Sequence, residues 1–332
     1  MERDAGQALW FESRPDGKVA CLLCPHACVI AEGRHGVCGV RFNKGDRMAL
    51  PFYGRISSLA VDPIEKKPLY HFHPGSRILS AGFVGCSFRC GFCQNWNISQ
   101  GTRAKTRFVP PEELVQMAGS ERSFAIAYTY SEPLIHAEYL LDVARLAHGA
   151  GLKNVLVSNG YINPSPADEL LTVMDAANVD LKAWDPEFYR TETGGDLEEV
   201  KRFISQAAGR IHLEVTTLII PTKNDHPEQI EGIARFLAAL DPGIPLHLSA
   251  YHPDFNYDVP ETPPRVVQEL AEEARRHLRF VYVGNIGAGE ANTTCPDCGH
   301  VLVRRMGYSV KVSGIEQGRC VKCHALTPIV GA

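Results

Sequence analysis

Eleven cysteines fall into three tight groups, and that grouping constrains the chain more than any other feature. Cys21, Cys24, Cys28 and Cys38 form the first group, Cys86, Cys90 and Cys93 the second, and Cys295, Cys298, Cys320 and Cys323 the third. Between Cys93 and Cys295 there is none. Cysteines serving only as small core residues would scatter. Met1 to Gln7 contains no apolar stretch of the secretory kind, so a cytoplasmic, reducing setting is expected. Disulfides are disfavoured there, which leaves metal binding or redox chemistry as the expectation.

The groups lie in segments of different texture. Residues 1–70 are rich in Gly, Pro and Cys and show no long amphipathic helix. They predict a small N-terminal module stapled by metal, since so short a stretch buries little core. Residues 71–290 alternate short apolar runs with helical patterns. Strands are predicted at 77–83, 123–128, 154–158, 178–183, 212–220, 246–251 and 279–283. Helices are predicted at 111–118, 133–148, 166–176, 197–208, 227–240 and 264–277, several with Pro in the first turn, where its missing N–H costs nothing. Asn154-Val-Leu-Val-Ser158 has little alternation, as expected of a strand covered on both faces. Repeated strand–helix units predict an α/β fold with a parallel sheet, a partial TIM-like (β/α)6 barrel. Residues 291–332 form a third, zinc-ribbon-like module. The 45% hydrophobic and 22% charged composition is that of a globular protein and excludes disorder. A net charge of −4 gives no reason to expect nucleic acid, and no apolar run reaches the ~18 residues of a membrane span.

The first barrel strand leads from Ser80-Ala-Gly-Phe-Val-Gly85 into Cys86-Ser-Phe-Arg-Cys90-Gly-Phe-Cys93-Gln-Asn-Trp96. Parallel barrels place their chemistry on such strand-end loops. Iron–sulfur clusters are held by cysteine thiolates. A cubane held by only three of them keeps one iron open, as catalytic zinc sites keep an open position. Gly85 and Gly91 let the loop wrap closely, and Phe88, Phe92 and Trp96 are candidates to exclude water. The alternative is a three-thiolate zinc site or three buried thiols.

This loop resembles the Cys-x3-Cys-x-aromatic-Cys signature of the radical S-adenosylmethionine (SAM) enzymes, and the resemblance runs from about residue 77 to 285. It implies a [4Fe–4S] cluster on Cys86, Cys90 and Cys93 whose open iron chelates the amino and carboxylate groups of SAM. One electron then cleaves SAM to methionine and a 5′-deoxyadenosyl radical. Ser131-Glu132-Pro133 stands where the family usually has Gly-Gly-Glu-Pro, which implies Ser131 and Glu132 near the SAM amino group. A carboxylate at a strand end also suits an ammonium on physical grounds. Ser158-Asn159-Gly160 is similar to the Thr-Asn-Gly of glycyl-radical activating enzymes. Strand alternation puts Asp180 and Lys182 on one face. The resemblance implies Lys182 near the SAM carboxylate and Asp180 in a polar or monovalent-cation network; a structural ion pair is the alternative. His252, in Ser249-Ala-Tyr-His-Pro253, matches a histidine near the SAM adenosine. Thr216 and Thr217 are further pocket candidates.

In the tail, Cys295-Pro-Asp-Cys298 and Cys320-Val-Lys-Cys323 flank the strand-like Val301-Leu-Val-Arg-Arg305. Two such knuckles predict a zinc ribbon with a closed four-thiolate site, which would stabilise a tail too small to fold alone. An auxiliary iron–sulfur cluster is the alternative there, with His300 and His324 as spare donors. The N-terminal Cys-x2-Cys-x3-Cys spacing suits zinc or a second cubane; zinc is expected, with His26 or His35 able to replace a cysteine. This stretch, with Cys38-Gly-Val-Arg41 behind it, resembles the radical SAM protein of the AmmeMemoRadiSam system, a relative of pyruvate formate-lyase activating enzymes. That resemblance implies Memo-like and AMMECR-like partner proteins. The expected activity is hydrogen abstraction from a protein or peptide, with a flavodoxin or ferredoxin as reductant. A small-molecule substrate is the second reading. A zinc-dependent scaffold, from another functional class, is the third.

Overall fold

A computed structural model describes residues 6–287 and 291–332. Its centre is an eight-stranded sheet: β1 (Ser58–Pro63), β2 (Arg77–Gly82), β3 (Ala125–Thr129), β4 (Lys153–Ser158), β5 (Ala176–Asp180), β6 (His212–Ile219), β7 (Leu246–Ala250) and β8 (Val281–Gly284). From β2 to β8 each strand pairs parallel with the next. β1 pairs antiparallel with β2, Ser58 opposite Gly82 and Pro63 opposite Arg77. β1 and β8 are the two edges, so the barrel is open along one side. All seven predicted strands are present. The eighth, β1, comes from within residues 1–70, so the sheet reaches back across the boundary expected at residue 70.

Six helices cover the sheet: α1 (Pro111–Ser120), α2 (Ala137–Gly149), α3 (Pro164–Leu171), α4 (Leu197–Ala207), α5 (Pro227–Leu240) and α6 (Pro264–Arg275). Four begin with Pro, whose fixed φ suits the first turn. The helix expected over 133–148 is divided: a 3-10 turn, Pro133–His136, precedes α2, and the Glu132 side chain caps that turn. The helix expected over 166–176 stops at Leu171, and β5 starts at Ala176 rather than 178. Ala176 and Ala177 are weak strand formers, but their small side chains are fully buried where β5 pairs with β4 and β6. β5 also ends at Asp180, so Lys182 lies on the loop beyond it, where its N–H donates to the Tyr189 hydroxyl at 2.9 Å.

The N-terminal segment adds a small antiparallel sheet, Phe11–Ser13, Val19–Cys21 and Val29–Ile30, and a hairpin, Phe42–Lys44 with Arg47–Ala49. Val19, Cys21, Leu23, Cys24 and Ile30 belong to the same buried cluster as the barrel interior. The Arg41 guanidinium binds Glu138 of α2 at 2.8 Å, both side chains 1% exposed. The tail forms its own three-stranded antiparallel sheet, Thr293–Thr294, Val301–Met306 and Ser309–Val312, over a separate small core. Among the described residues no helix is long and apolar enough to cross a membrane.

Candidate active site

β2 delivers the chain to the Cys86–Cys93 loop at the carboxyl end of the parallel strands. Gly85 has φ +78°, and a Cβ there would stand 2.5 Å from the carbonyl oxygen of Cys38. Only glycine allows this approach of two backbones. From outside, the His26 Nε2–H donates to Ser87 O at 2.7 Å, Arg89 N–H donates to Thr193 O at 2.8 Å, and the Arg89 guanidinium bonds Cys86 O and Val37 O. Phe88 and Phe92 are buried, as expected of water-excluding groups, with their rings against Tyr161 and Tyr257. Trp96 is not: it is 44% exposed and stacks on Phe255.

The loop faces a cavity of about 740 Å³ lined by Cys86, Cys90 and Cys93 on one side. The Cys86 sulfur accepts from Phe88 N–H at 3.3 Å and Asn159 Nδ2 at 3.7 Å, and Cys93 Sγ meets Ser99 Oγ at 3.1 Å. Burial pushes the Cys90 thiol up to about 12, against the pull of the Lys182 ammonium. Burial first, then the Glu132 carboxylate, raises Cys86 well above the usual range. Such thiols become thiolates when a metal centre compensates the charge. Three cysteines and no fourth thiol line this cavity, which fits a cubane with one open iron.

Opposite the loop, Glu132 is 1% exposed and held by three donors: Ser158 Oγ at 2.7 Å, Asn159 N at 2.9 Å and Leu134 N at 3.0 Å. Burial raises its carboxyl to about 7, opposed by those hydrogen bonds. The adjacent Ser131 Oγ is shielded from water and has no partner. Lys182 Nζ sits 3.0 Å from Asp180 Oδ2, and both residues line the cavity. Burial lowers the Lys182 pKa, but Asp180 and Cys90 outweigh it and hold the group charged. Ser131, Glu132, Ser158, Asn159, Asp180 and Lys182 therefore all meet around one space with the three cysteines. An unpartnered hydroxyl, a fixed carboxylate and an ammonium are the donor set that a zwitterionic amino acid group needs.

Two expected pocket residues lie elsewhere. His252 does not line the cavity: its side chain is 49% exposed and its Nδ1 is 3.4 Å from Glu261. Thr216 lines it, but Thr217 points to the other face and donates to Leu181 O, as strand alternation requires.

Three features carried no sequence motif. His247 on β7 lines the cavity, and its Nε2–H donates at 2.6 Å to Glu214 of β6. Glu214 is fully buried and also accepts from His212 Nε2 and the backbone N–H groups of Tyr70 and His71. Burial alone would raise its pKa, but hydrogen bonds and charge from His212 and His247 hold it well below the usual value. Polar residues at alternate positions of an otherwise apolar run, His212-Leu-Glu214, were the available signal. Tyr130 lines the wall and donates at 2.5 Å to Asp62, which also takes Lys67 and Ser80. Finally, Gly307 and Tyr308 of the tail contribute to the lining. Arg305 fixes the tail there through Tyr70 O at 2.5 Å, while Thr293 Oγ1 of the tail's own sheet holds the guanidinium at 2.7 Å.

In the tail itself, Cys295, Cys298, Cys320 and Cys323 have sulfurs all within 4.8 Å of one another, close enough to share one metal ion.

The profile of the radical SAM superfamily matches residues 82–237, from the end of β2 into α5. An uncharacterised protein of Methanocaldococcus jannaschii is 38% identical over 333 residues, covering 98% of this chain and 99% of its own. The pyruvate formate-lyase-activating enzyme of Clostridium pasteurianum is 24% identical over 184 residues, covering 54% of this chain and 76% of its own. The crystal structure of a radical SAM methyltransferase from Sphaerobacter thermophilus shares the fold with a TM-score of 0.52 at 17% identity, covering 69% of this chain and 71% of that one. The chain belongs to the radical SAM superfamily, as an enzyme resembling the glycyl-radical activases, a class that works with a [4Fe–4S] cluster and SAM.

Proposed function

We propose that the cavity binds SAM between the Cys86–Cys93 loop and the Glu132 wall and abstracts hydrogen from a protein or peptide substrate. The observation that carries this is the convergence of Cys86, Cys90 and Cys93 with Ser131, Glu132, Asp180 and Lys182 on one space of about 740 Å³. When bound, the cluster supplies the electron that splits SAM into methionine and the hydrogen-abstracting 5′-deoxyadenosyl radical.

The chain's own residues have distinct tasks. Cys86, Cys90 and Cys93 hold three irons. Ser131 Oγ accepts from the SAM ammonium, and Glu132 adds the negative charge beside it, its position fixed by Ser158 and Asn159. Lys182 donates to the SAM carboxylate while Asp180 keeps it charged. Phe88 and Phe92 keep water from the loop. In the tail, Cys295, Cys298, Cys320 and Cys323 hold structural zinc, supported by their close spacing.

A protein substrate is supported by the similarity to an enzyme whose own name states that it activates pyruvate formate-lyase. A flavodoxin or ferredoxin is the matching electron source, and Memo-like and AMMECR-like proteins are the partners to test as substrates or co-factors of turnover.

The test is anaerobic. The protein is reconstituted with iron and sulfide, given dithionite and SAM, and 5′-deoxyadenosine is quantified against Cys90→Ala. Product formed by the parent and lost in the variant is the expected result; equal product from both would overturn the site. SAM deuterated at C5′, followed by mass spectrometry of partner proteins and metabolites, separates the substrate classes. Label reaching only a metabolite would overturn the protein substrate.

A further inference from the structure

The three cysteine groups hold their sulfurs at different spacings. Tetrahedral zinc, with Zn–S bonds of about 2.3 Å, draws its sulfurs to about 4 Å from one another. A cubane binds each cysteine at a different corner iron, so the sulfurs stand wider, about 6 Å apart. The tail has the first spacing: Cys295 to Cys323 is 3.6 Å and Cys298 to Cys320 is 3.7 Å. Among the described residues it is the one set of three or more His, Cys, Asp or Glu donor atoms all within 4.8 Å of one another. The three sulfurs of the Cys86–Cys93 loop, whose family assigns it a cubane, do not all lie within that distance, and neither do any three of the N-terminal group.

That group is nonetheless organised. The Cys21 N–H donates to Cys28 O at 2.9 Å, and Val37, the neighbour of Cys38, bonds the Cys28 sulfur, so the chain folds back on itself around Cys28. None of the four cysteines is in a disulfide. The Val37 N–H donates to Cys28 Sγ at 3.4 Å. Such donors stabilise thiolate charge on metal-bound sulfur. Cys21, Cys24 and Cys38 are buried.

We propose that Cys21, Cys24, Cys28 and Cys38 hold a second [4Fe–4S] cluster, with all four irons ligated by the chain, in place of the zinc expected from sequence spacing. With no open iron it binds no SAM. It stands directly behind the loop of the first cluster, where Cys38 O abuts Gly85 and His26 bonds Ser87 O.

The inference is independent of the substrate reading and is tested by metal content. After anaerobic reconstitution the full chain should hold about eight irons, and Cys86→Ala/Cys90→Ala/Cys93→Ala about four, still with one tail zinc. Cys24→Ala/Cys28→Ala should also fall to about four, all at the SAM site. The triple variant leaves the N-terminal module intact, so misfolding of the double variant does not decide the result. Two zincs and no iron in the triple variant would overturn the proposal, as would a parent chain that takes up only about four irons. Absence of 5′-deoxyadenosine from an eight-iron protein would instead count against the function proposed above and leave the second cluster standing.

Discussion

The N-terminal and tail modules each carry four cysteines, yet they are built in opposite ways. The tail's core is Cys295, Leu302, Val303, Cys320 and Ile329, two of whose five members are ligand candidates, while Cys323 is exposed. Cys21, Cys24 and Cys28 share a continuous core with the barrel, Cys38 packs in a small cluster with Val84 and Ile135, and buried Arg41–Glu138 ties the module to α2. A module with little apolar burial depends on its metal for structure. A module embedded in a larger core has its cysteines positioned by the fold, without the help of a metal.

The largest effect should follow from emptying the tail. Cys298→Ala/Cys320→Ala is expected to abolish amide-exchange protection over 293–320 and leave the barrel strands protected. Structural zinc is worth about 10–16 kcal/mol to small zinc modules, more than five core residues supply. Retained protection in the tail would erase the contrast between the modules. Next is Arg41→Met, which leaves the Glu138 carboxylate buried without its guanidinium and should cost about 3–5 kcal/mol. Because the core is shared, the loss should appear in the main urea transition. A separate early transition of the N-terminal module alone would break the comparison. Gly85→Ala probes the seam itself: its Cβ would meet Cys38 O at 2.5 Å with φ +78°. A loss of about 2–3 kcal/mol is expected from strain at such a position, together with reduced iron uptake. An unaffected iron content would mean that the module and the loop need not touch.

Much of this was legible in the chain. Apolar runs such as Asn154-Val-Leu-Val-Ser158 located every parallel strand, because strands buried on both faces have no competing pattern. That the cysteine triad and Glu132 face one cavity was legible because each follows the end of a strand that the sequence predicts. β1 was not, since an antiparallel edge strand has one exposed face and Ser58-Leu-Ala-Val-Asp-Pro63 ends in residues that strands disfavour. Nor was the Glu214–His247 pair, whose partners are 33 residues apart and meet only through the pairing of β6 and β7. His252 was misplaced because a position counted from a strand end does not fix which way the following loop turns. The choice of metal in the N-terminal group could not be read from sequence spacing, because zinc and a cubane accept the same Cys-x2-Cys.

The smallest effect distinguishes the two seams by pH. His71 lies where the tail meets the barrel: its Nε2 bonds the Tyr282 hydroxyl at 2.6 Å, and that hydroxyl bonds Thr293 at 2.7 Å. Burial lowers the His71 pKa to about 3; Glu214 opposes this, while His212, Arg305 and His247 reinforce it. The unfolded chain takes up this proton near pH 6.5 and the folded protein does not. The stability associated with neutral His71 is therefore complete above pH 6.5 and is lost as pH falls from 6.5 toward 3. The slope is about 1.4 kcal/mol per pH unit, or about 2 kcal/mol by pH 5. His71→Gln should remove that increment from the pH dependence of unfolding, measured by urea titration at pH 7.5 and pH 5. Arg41→Met should leave it in place, because the N-terminal seam rests on a guanidinium that does not titrate in this range. An unchanged slope in His71→Gln would show that the tail seam is as insensitive to protons as the N-terminal one, and the difference between the modules would then reduce to core size alone.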